Sequence, residues 1–349
     1  MVPEVDIGGI FSRRFIVGFF LPAFFGIVAL KLLVDPRALP HALRTESGGT
    51  QFLILLGVAL LLGMLLWGLH IPLIRFFEGY WLIAPVRPLR SAPWPQGDGY
   101  KHGIRATLGR ALDRVRWEIG RGRLAYGTKR QARWICDRAR LVAIKADPSL
   151  ERTLAARDLT KRFPPADDLV LPTELGNVIR AFETHPRERY GLDGIAIWPR
   201  IAAILSEKER LDIDEVTTDV AFWINGLVIV GVFGSLLFAE RLWHRPGGAI
   251  VTFAIEIAVV ISVTVIGTFI YRQLISAAIR WGEPVRAAFD GHRLELYDRL
   301  GVRRPVTADD DKVVGDAINR MLVFGEPLPD RVRAAHTPST TSPDAGKAH

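Results

Sequence analysis

The chain has 349 residues, 49% of them apolar and 23% charged, with a formal net charge of +8. Those averages hide a segregation. Four stretches are almost wholly apolar and nearly all the charge lies elsewhere, which excludes a disordered or collagen-like chain and argues against a purely soluble fold, while the one cysteine excludes an internal disulfide framework and a thiolate-rich metal cluster within the chain.

A hydrocarbon core of about 30 Å takes about 20 helical residues to cross. Residues 15–34 form the first such run, interrupted only by Lys31 near its end. Ser12-Arg13-Arg14 ahead of it loosely matches a twin-arginine export signal, but the long run and the lack of a small-x-small site after it predict an uncleaved helix. Residues 51–72 give a second run with no formal charge inside.

The segment from 73 to 220 reads as a mainly helical domain. Ala84 to Gly103 is a Pro-punctuated connector, and Ile104, Leu108, Leu112, Val115 and Ile119 then recur at helical spacing until Gly120 and Gly122. A second helix over about 129–146 puts Ala132, Ile135, Ala139 and Val142 on one side, with Cys136 read as a core residue. Arg130, Arg133, Arg138 and Arg140 spread round the rest, as a solvated face or a surface resting on the inner leaflet. Asp147 or Ser149 caps a third helix to about Arg162, and Thr173 caps a fourth to about Thr184, ended by His185-Pro186. Ile195 to Trp198 reads as a strand or a buried turn, and Pro199 as the first turn of a helix leading to the third span.

Residues 221–239 and 249–271 are the third and fourth apolar runs, the latter carrying Glu256. Helical patterning continues past Tyr271, with Tyr271 and Trp281 placed as interfacial anchors. Gly282-Glu283-Pro284 predicts a kink or break before an amphipathic helix from Val285 to Leu300. Thr307 and Asp310 resemble a capping box ahead of a helix to about Val323, and 330–349 reads as a disordered tail. The domain plan is therefore a transmembrane hairpin over 1–72, a cytoplasmic helical domain over 73–220, a second hairpin over 221–271, and a cytoplasmic extension over 272–329.

Of 45 Lys and Arg residues, 26 lie between 73 and 220 and 12 after 271, against two in each outward loop. The positive-inside rule then puts both termini and the polar bulk in the cytoplasm. The basic excess suits anionic lipid headgroups; no nucleic-acid motif accompanies it. Nucleotide, hydrolase, zinc-protease and calcium-loop signatures are absent, and no two histidines stand at i, i+4, so neither a cofactor nor a metal centre is expected.

An acid at membrane depth must face the bundle, pair, or be protonated. Glu256 with Lys31 is the candidate intramembrane polar pair, read as a structural ion pair, a proton or ion pathway, or a subunit contact. Ala59 with Gly63, Gly231 with Ser235, and Ala254 with Ala258 and Ser262 have the small-xxx-small spacing of packed spans, within a chain or between copies.

Three groups of phrases stand out. Arg75-Phe76-Phe77-Glu78-Gly79-Tyr80-Trp81 follows the second span; Arg75 and Glu78 are spaced for an i, i+3 ion pair, with Tyr80 and Trp81 at headgroup level. Pro172 to Asn177 is followed by Arg189 to Asp193 and by Trp198-Pro199-Arg200, and Ala288-Phe289-Asp290 by Arg293. Asn177, Arg180 and Glu183 share one side of a helix, with Arg187, Arg189, Asp193 and Arg200 nearby: a polar network, an anion or nucleotide-like ligand site, or a partner surface. Together the phrases resemble a group of uncharacterised four-span membrane proteins of high-GC Gram-positive bacteria. The resemblance implies a multi-pass topology in a bacterial cell membrane and supplies no activity.

The expected fold class is membrane all-α, with four transmembrane helices and a mainly helical cytoplasmic domain. The expected function is a membrane-anchored interaction or regulatory protein without an evident catalytic site. The alternative is an oligomeric channel or small transporter using Glu256 and Lys31. The expected partners are the lipid bilayer and either further copies of the chain or another membrane protein.

Overall fold

The computed structural model describes residues 12–33, 48–83, 130–139, 157, 159–243 and 250–334. Among these residues the fold is almost entirely helical, with one isolated antiparallel bridge, Val302 to Arg333, and no strand. The expected connector at 84–103, the helix from Ile104 to Ile119, the caps at Asp147 or Ser149 and residues 335–349 lie outside the described residues.

In chain order the main helices are α1 (Leu21–Leu33), α2 (Gly48–Gly68), α3 (His70–Phe77), α4 (Tyr80–Ile83), α5 (residues 130–139), α6 (Glu174–Glu183), α7 (His185–Tyr190), α8 (Gly194–Ala202), α9 (Glu207–Trp243), α10 (Ile250–Arg299) and α11 (Ala308–Phe324). The first, second, ninth and tenth, with residues 13–20 extending the first, are long and apolar enough to cross a membrane. The protein is thus built as a multi-pass membrane protein. At about 1.5 Å per residue, the 50 residues of α10 span about 75 Å, far more than a bilayer needs.

Two compact units form, one from residues 1–182 with 208–285 and one from 183–207 with 286–349. In the first unit, Phe15, Phe19, Ala23, Leu66, Ala221 and Ile229 make the core of the first three spans. Small residues set the closest approaches. Ala59 and Gly63 are buried, the latter beneath the Phe20 backbone. Gly26 sits against Ile229 and Phe233, and Gly234 against Val263. The other two expected stripes, Gly231 with Ser235 and Ala254 with Ala258 and Ser262, stay exposed.

Residues 16–20 make a π-helical turn at the start of the first span. Its origin is local. Pro22 has no N–H, so the Gly18 carbonyl four residues earlier loses its α-helical donor. Asn225 of α9, fully buried, replaces that donor through Nδ2 at 2.8 Å.

Several expectations are corrected. Residues 195–198 are helical, inside α8, because the Asp193 carboxylate accepts from the backbone N–H groups of Ile195 and Ala196, both at 3.0 Å. Pro199 consequently falls inside that helix rather than in a first turn. His185-Pro186 starts α7 as well as ending α6, since a proline in a first turn forfeits no bond. Of the kink or break expected at Gly282-Glu283-Pro284, the break is overturned, since α10 is continuous to Arg299; Gly282 takes the Phe182 ring where a Cβ would clash. Tyr271 and Trp281, expected as interfacial anchors, pack on α6 through the Leu175 backbone and the Phe182 ring.

The apolar side assigned to α5 is overturned in part. Ala132, Cys136 and Ala139 are exposed, Ile135 is half-buried, and Val142 lies outside the described residues. The docked side instead carries Gln131, Trp134 and Arg138, which donate to the carbonyls of Val170, Pro172 and Pro164 at 2.5, 3.2 and 3.0 Å. A loop rich in unpaired carbonyls rewards long polar side chains over small apolar ones. The tail, too, is ordered through Ala334: Arg303 N–H donates to Val332 O and Ala334 N–H to Gly301 O, both at 2.9 Å, and Val332 is fully buried.

Candidate functional site

The phrases singled out in the sequence assemble into two polar clusters, one in each unit. In the first unit the turn after α3 meets the start of α6. Gly79 turns the chain with φ +86°, a left-handed conformation that suits only glycine at low cost. The Thr173 hydroxyl caps α6 by accepting from Gly176 N–H at 3.0 Å and donates to Glu78 O at 2.7 Å. Gly176 is there because a Cβ would strike the same Glu78 carbonyl. Asn177, 1% exposed, spends its amide on both backbone groups of Leu171.

The Glu78 side chain is 2% exposed, and Arg75 Nη1 donates to it at 3.0 Å across the expected i, i+3 spacing. The guanidiniums of Arg75 and Arg180 lie 5.4 and 5.8 Å from the centre of the Tyr80 ring. Trp81 stacks on Phe76 with ring centres 5.2 Å apart. Nearby, a cleft of about 180 Å³ is lined by Trp134, Arg162, Phe163, Glu174 and Asn177, with Arg162 and Glu174 paired at 3.0 Å.

In the second unit the Arg189–Asp193 phrase meets the phrase around Asp290. Gly191, at φ +72°, ends α7 against the backbone of Lys312, and Gly315 of α11 admits the Tyr190 carbonyl so closely that no side chain would fit. Asn319 ties the turn by donating to Gly191 O at 2.5 Å and accepting from Asp193 N–H at 2.8 Å. Asp290 Oδ1 accepts from the Tyr190 hydroxyl at 2.7 Å and lies 2.9 Å from His185 Nε2. Arg293 stacks over the Tyr190 ring at 4.1 Å and donates to Asp311 Oδ2 at 3.1 Å. The Tyr297 hydroxyl completes the chain with Asp311 Oδ1 at 2.7 Å.

The electrostatics follow from this geometry. Burial pushes the Asp290 carboxyl up, but hydrogen bonds from Tyr190 and His185 outweigh it and hold the group below its ordinary value. Burial first, then the bond to Asp290, pushes the Tyr190 hydroxyl up. Beside the cluster, Arg303 clamps Asp310 through two hydrogen bonds of 2.7 and 2.6 Å, and with Val306 N–H this holds Asp310 down at about 2. Asp310 therefore closes its capping box on Val306 N–H rather than on Thr307 N–H.

The seven residues expected to form one polar network fall in both units. Asn177 and Arg180 lie in the first unit, whereas Glu183, Arg187, Arg189, Asp193 and Arg200 lie in the second. Asp193 caps α8, and Arg200 donates to Ala196 O in its own helix. Among the described residues no ion pair joins Lys31 to Glu256, although Glu256 is only 6% exposed. Sequence reasoning missed His185, Tyr297 and Asp311; the partners are separated by 14 to 105 residues, and no spacing rule links them. Among the described residues no three His, Cys, Asp or Glu side chains are grouped to hold a metal ion. Compared with protein-family models, curated proteins and solved structures, the chain matches none.

Proposed function

We propose that the protein is a membrane-anchored interaction or regulatory protein of the bacterial cell membrane, acting through a cytoplasmic body. The observation that carries this reading is α10. It runs without a break from an apolar, lipid-length segment to Arg299 and bears Asp290, Arg293 and Tyr297 on its polar part. One helix therefore carries both an apolar, lipid-length segment and the residues of a polar cluster. The Lys and Arg distribution supports the cytoplasmic placement of both termini. The Asp290 side chain, 40% exposed, offers the cluster to a partner.

The test is cross-linking in living cells followed by purification in mild detergent, comparing the wild type with Asp290→Asn. A partner recovered reproducibly with the wild type and depleted with the variant supports the reading. No reproducible partner in either counts against it. Glu256, buried at membrane depth, favours a second reading as an oligomeric channel or small transporter. Flux through reconstituted protein that Glu256→Gln abolishes would select it.

A further inference from the structure

The exposed face of α10 changes character at a single residue, Arg272. We propose that Arg272 forms, with Phe269 and with Trp223 of α9, a headgroup site for one anionic phospholipid. The guanidinium holds the phosphate and the two rings border the glycerol region. This rests on the reading of α9 and α10 as membrane spans.

Residues about one turn apart trace that face. Ile261, Val265 and Phe269 are 56%, 62% and 57% exposed. Arg272 comes next and is exposed, and the exposed Ser276, Arg280 and Glu283 continue the row. Surface suited to acyl chains therefore gives way to polar surface at Arg272. The Phe269 ring stands edge-on to Trp223, with centres 6.4 Å apart, and Trp223 stands edge-on to Phe222 at 5.0 Å. Rings at the end of a span suit the interfacial zone, where they meet glycerol and headgroups. Gly226 against Ile270 and Gly267 against Leu227 hold α9 and α10 together at this level, which fixes Trp223 beside the Phe269 turn.

Charge separates Arg272 from the other arginines that border the spans. Arg13, Arg14 and Arg280 pair with Glu215, Asp214 and Asp219 of α9, and Arg75 pairs with Glu78. Among the described residues the Arg272 guanidinium has neither an acidic partner nor a hydrogen bond. Its neighbours at helical spacing, Thr268, Phe269, Ile275 and Ser276, carry no acid. Guanidinium groups recognise phosphate through paired, charge-assisted hydrogen bonds. A cation that no carboxylate offsets favours a headgroup with net negative charge over a zwitterionic one, whose own cation it repels.

The experiment uses the full chain purified in neutral detergent. Native mass spectrometry counts bound lipid after addition of phosphatidylglycerol or phosphatidylcholine, and thermal unfolding is followed with each lipid and with inorganic phosphate. The expected result is preferential retention of one phosphatidylglycerol, a higher Tm with that lipid than with phosphatidylcholine, and little effect of inorganic phosphate. Arg272→Gln should weaken phosphatidylglycerol retention about five-fold, and Arg272→Lys should recover part of it. Trp223→Leu should weaken both lipids. Arg13→Gln removes the same charge from a paired arginine and should leave the preference in place. Equal retention of the two lipids by the wild type overturns the proposal even if every variant misfolds. Retention unchanged in Arg272→Gln overturns it, as does an equal loss in Arg13→Gln, since any border cation would then serve. An equal response to inorganic phosphate overturns the lipid assignment in favour of a free anion. Should the chain leave cell membranes on alkaline carbonate washing, the membrane reading itself has failed; if it stays but shows no lipid preference, only the headgroup site has.

Discussion

Asn225 donates its side-chain amide to the carbonyl of Gly18, 207 residues away, at 2.8 Å. That carbonyl needs an outside donor because Pro22 cannot supply one. The pair lies near the start of the first and third apolar runs, in a layer otherwise made of Phe15, Phe19 and Ala221. Gly18 permits the approach, since a Cβ there would already press on Ala221 at 3.2 Å. Replacing Asn225 by Leu should cost about 1–3 kcal/mol, the usual loss when a buried carbonyl is left unmet. Pro22→Ala restores a helical donor, so Asn225→Leu should cost less in that background. Unfolding of the four proteins in detergent forms the cycle; equal costs in both backgrounds would show that the proline does not create the need.

The contact between Gly176 and the Glu78 carbonyl predicts an intolerant position. Gly176→Ala should destabilise the first unit by about 3 kcal/mol, the upper range for overpacking, because the obstructing atom is backbone and cannot rotate away. Thr173→Val keeps the shape but removes the bond to Glu78 O and the cap, and should cost about 1–2 kcal/mol. Thermal unfolding checks the order: a milder effect for the alanine than for the valine would contradict the close approach.

Acid should loosen the second unit. Asp310 has a folded-state value of about 2, depressed from an ordinary 3.8. A depressed carboxylate stabilises the folded state above its unfolded value and loses that contribution as pH falls through the folded one. The Arg303–Asp310 clamp is therefore fully effective above about pH 4 and released toward pH 2. Asp290, also held below its ordinary value, acts in the same direction. Near-ultraviolet circular dichroism of the full chain should show unfolding facilitated between pH 4 and 2, with a shallower dependence in Asp310→Asn.

Tyr297→Phe isolates the other end of the chain. It removes one donor from Asp311, a residue 4% exposed, while Arg293 remains at 3.1 Å. The expected loss is about 1–3 kcal/mol, and stability should become more sensitive to further loss of Arg293 than the wild type is. A double-mutant cycle with Arg293→Met measures that coupling; simple additivity would mean that the two donors act independently.

Topology is open to a chemical test because Cys136 is the one thiol and is exposed. A membrane-impermeant maleimide should label it in broken cells and leave it unlabelled in intact ones. Labelling of intact cells would place α5 and its neighbours outside and reverse the orientation proposed above.

What could be read from the sequence was local in origin. Crossing a bilayer imposes a condition on about 20 consecutive residues, so the four spans stand out by composition alone. The caps at Thr173 and Thr307 are likewise visible, because a hydroxyl ahead of a helical pattern needs only the next three residues to act. Decisions at long range were not visible. The docked side of α5 depends on carbonyls 26 to 39 residues further on, so apolar periodicity missed Gln131, Trp134 and Arg138. Pro284 looked like a kink or break because the helical penalty is local, whereas the packing of Phe182 on Gly282 is not. The Tyr190–Asp290 bond joins residues 100 apart, and only the folded chain brings those donors and acceptors within reach. Chain chemistry by itself set where helices form and which of them suit lipid; burial and hydrogen bonding between distant segments decided which polar groups meet.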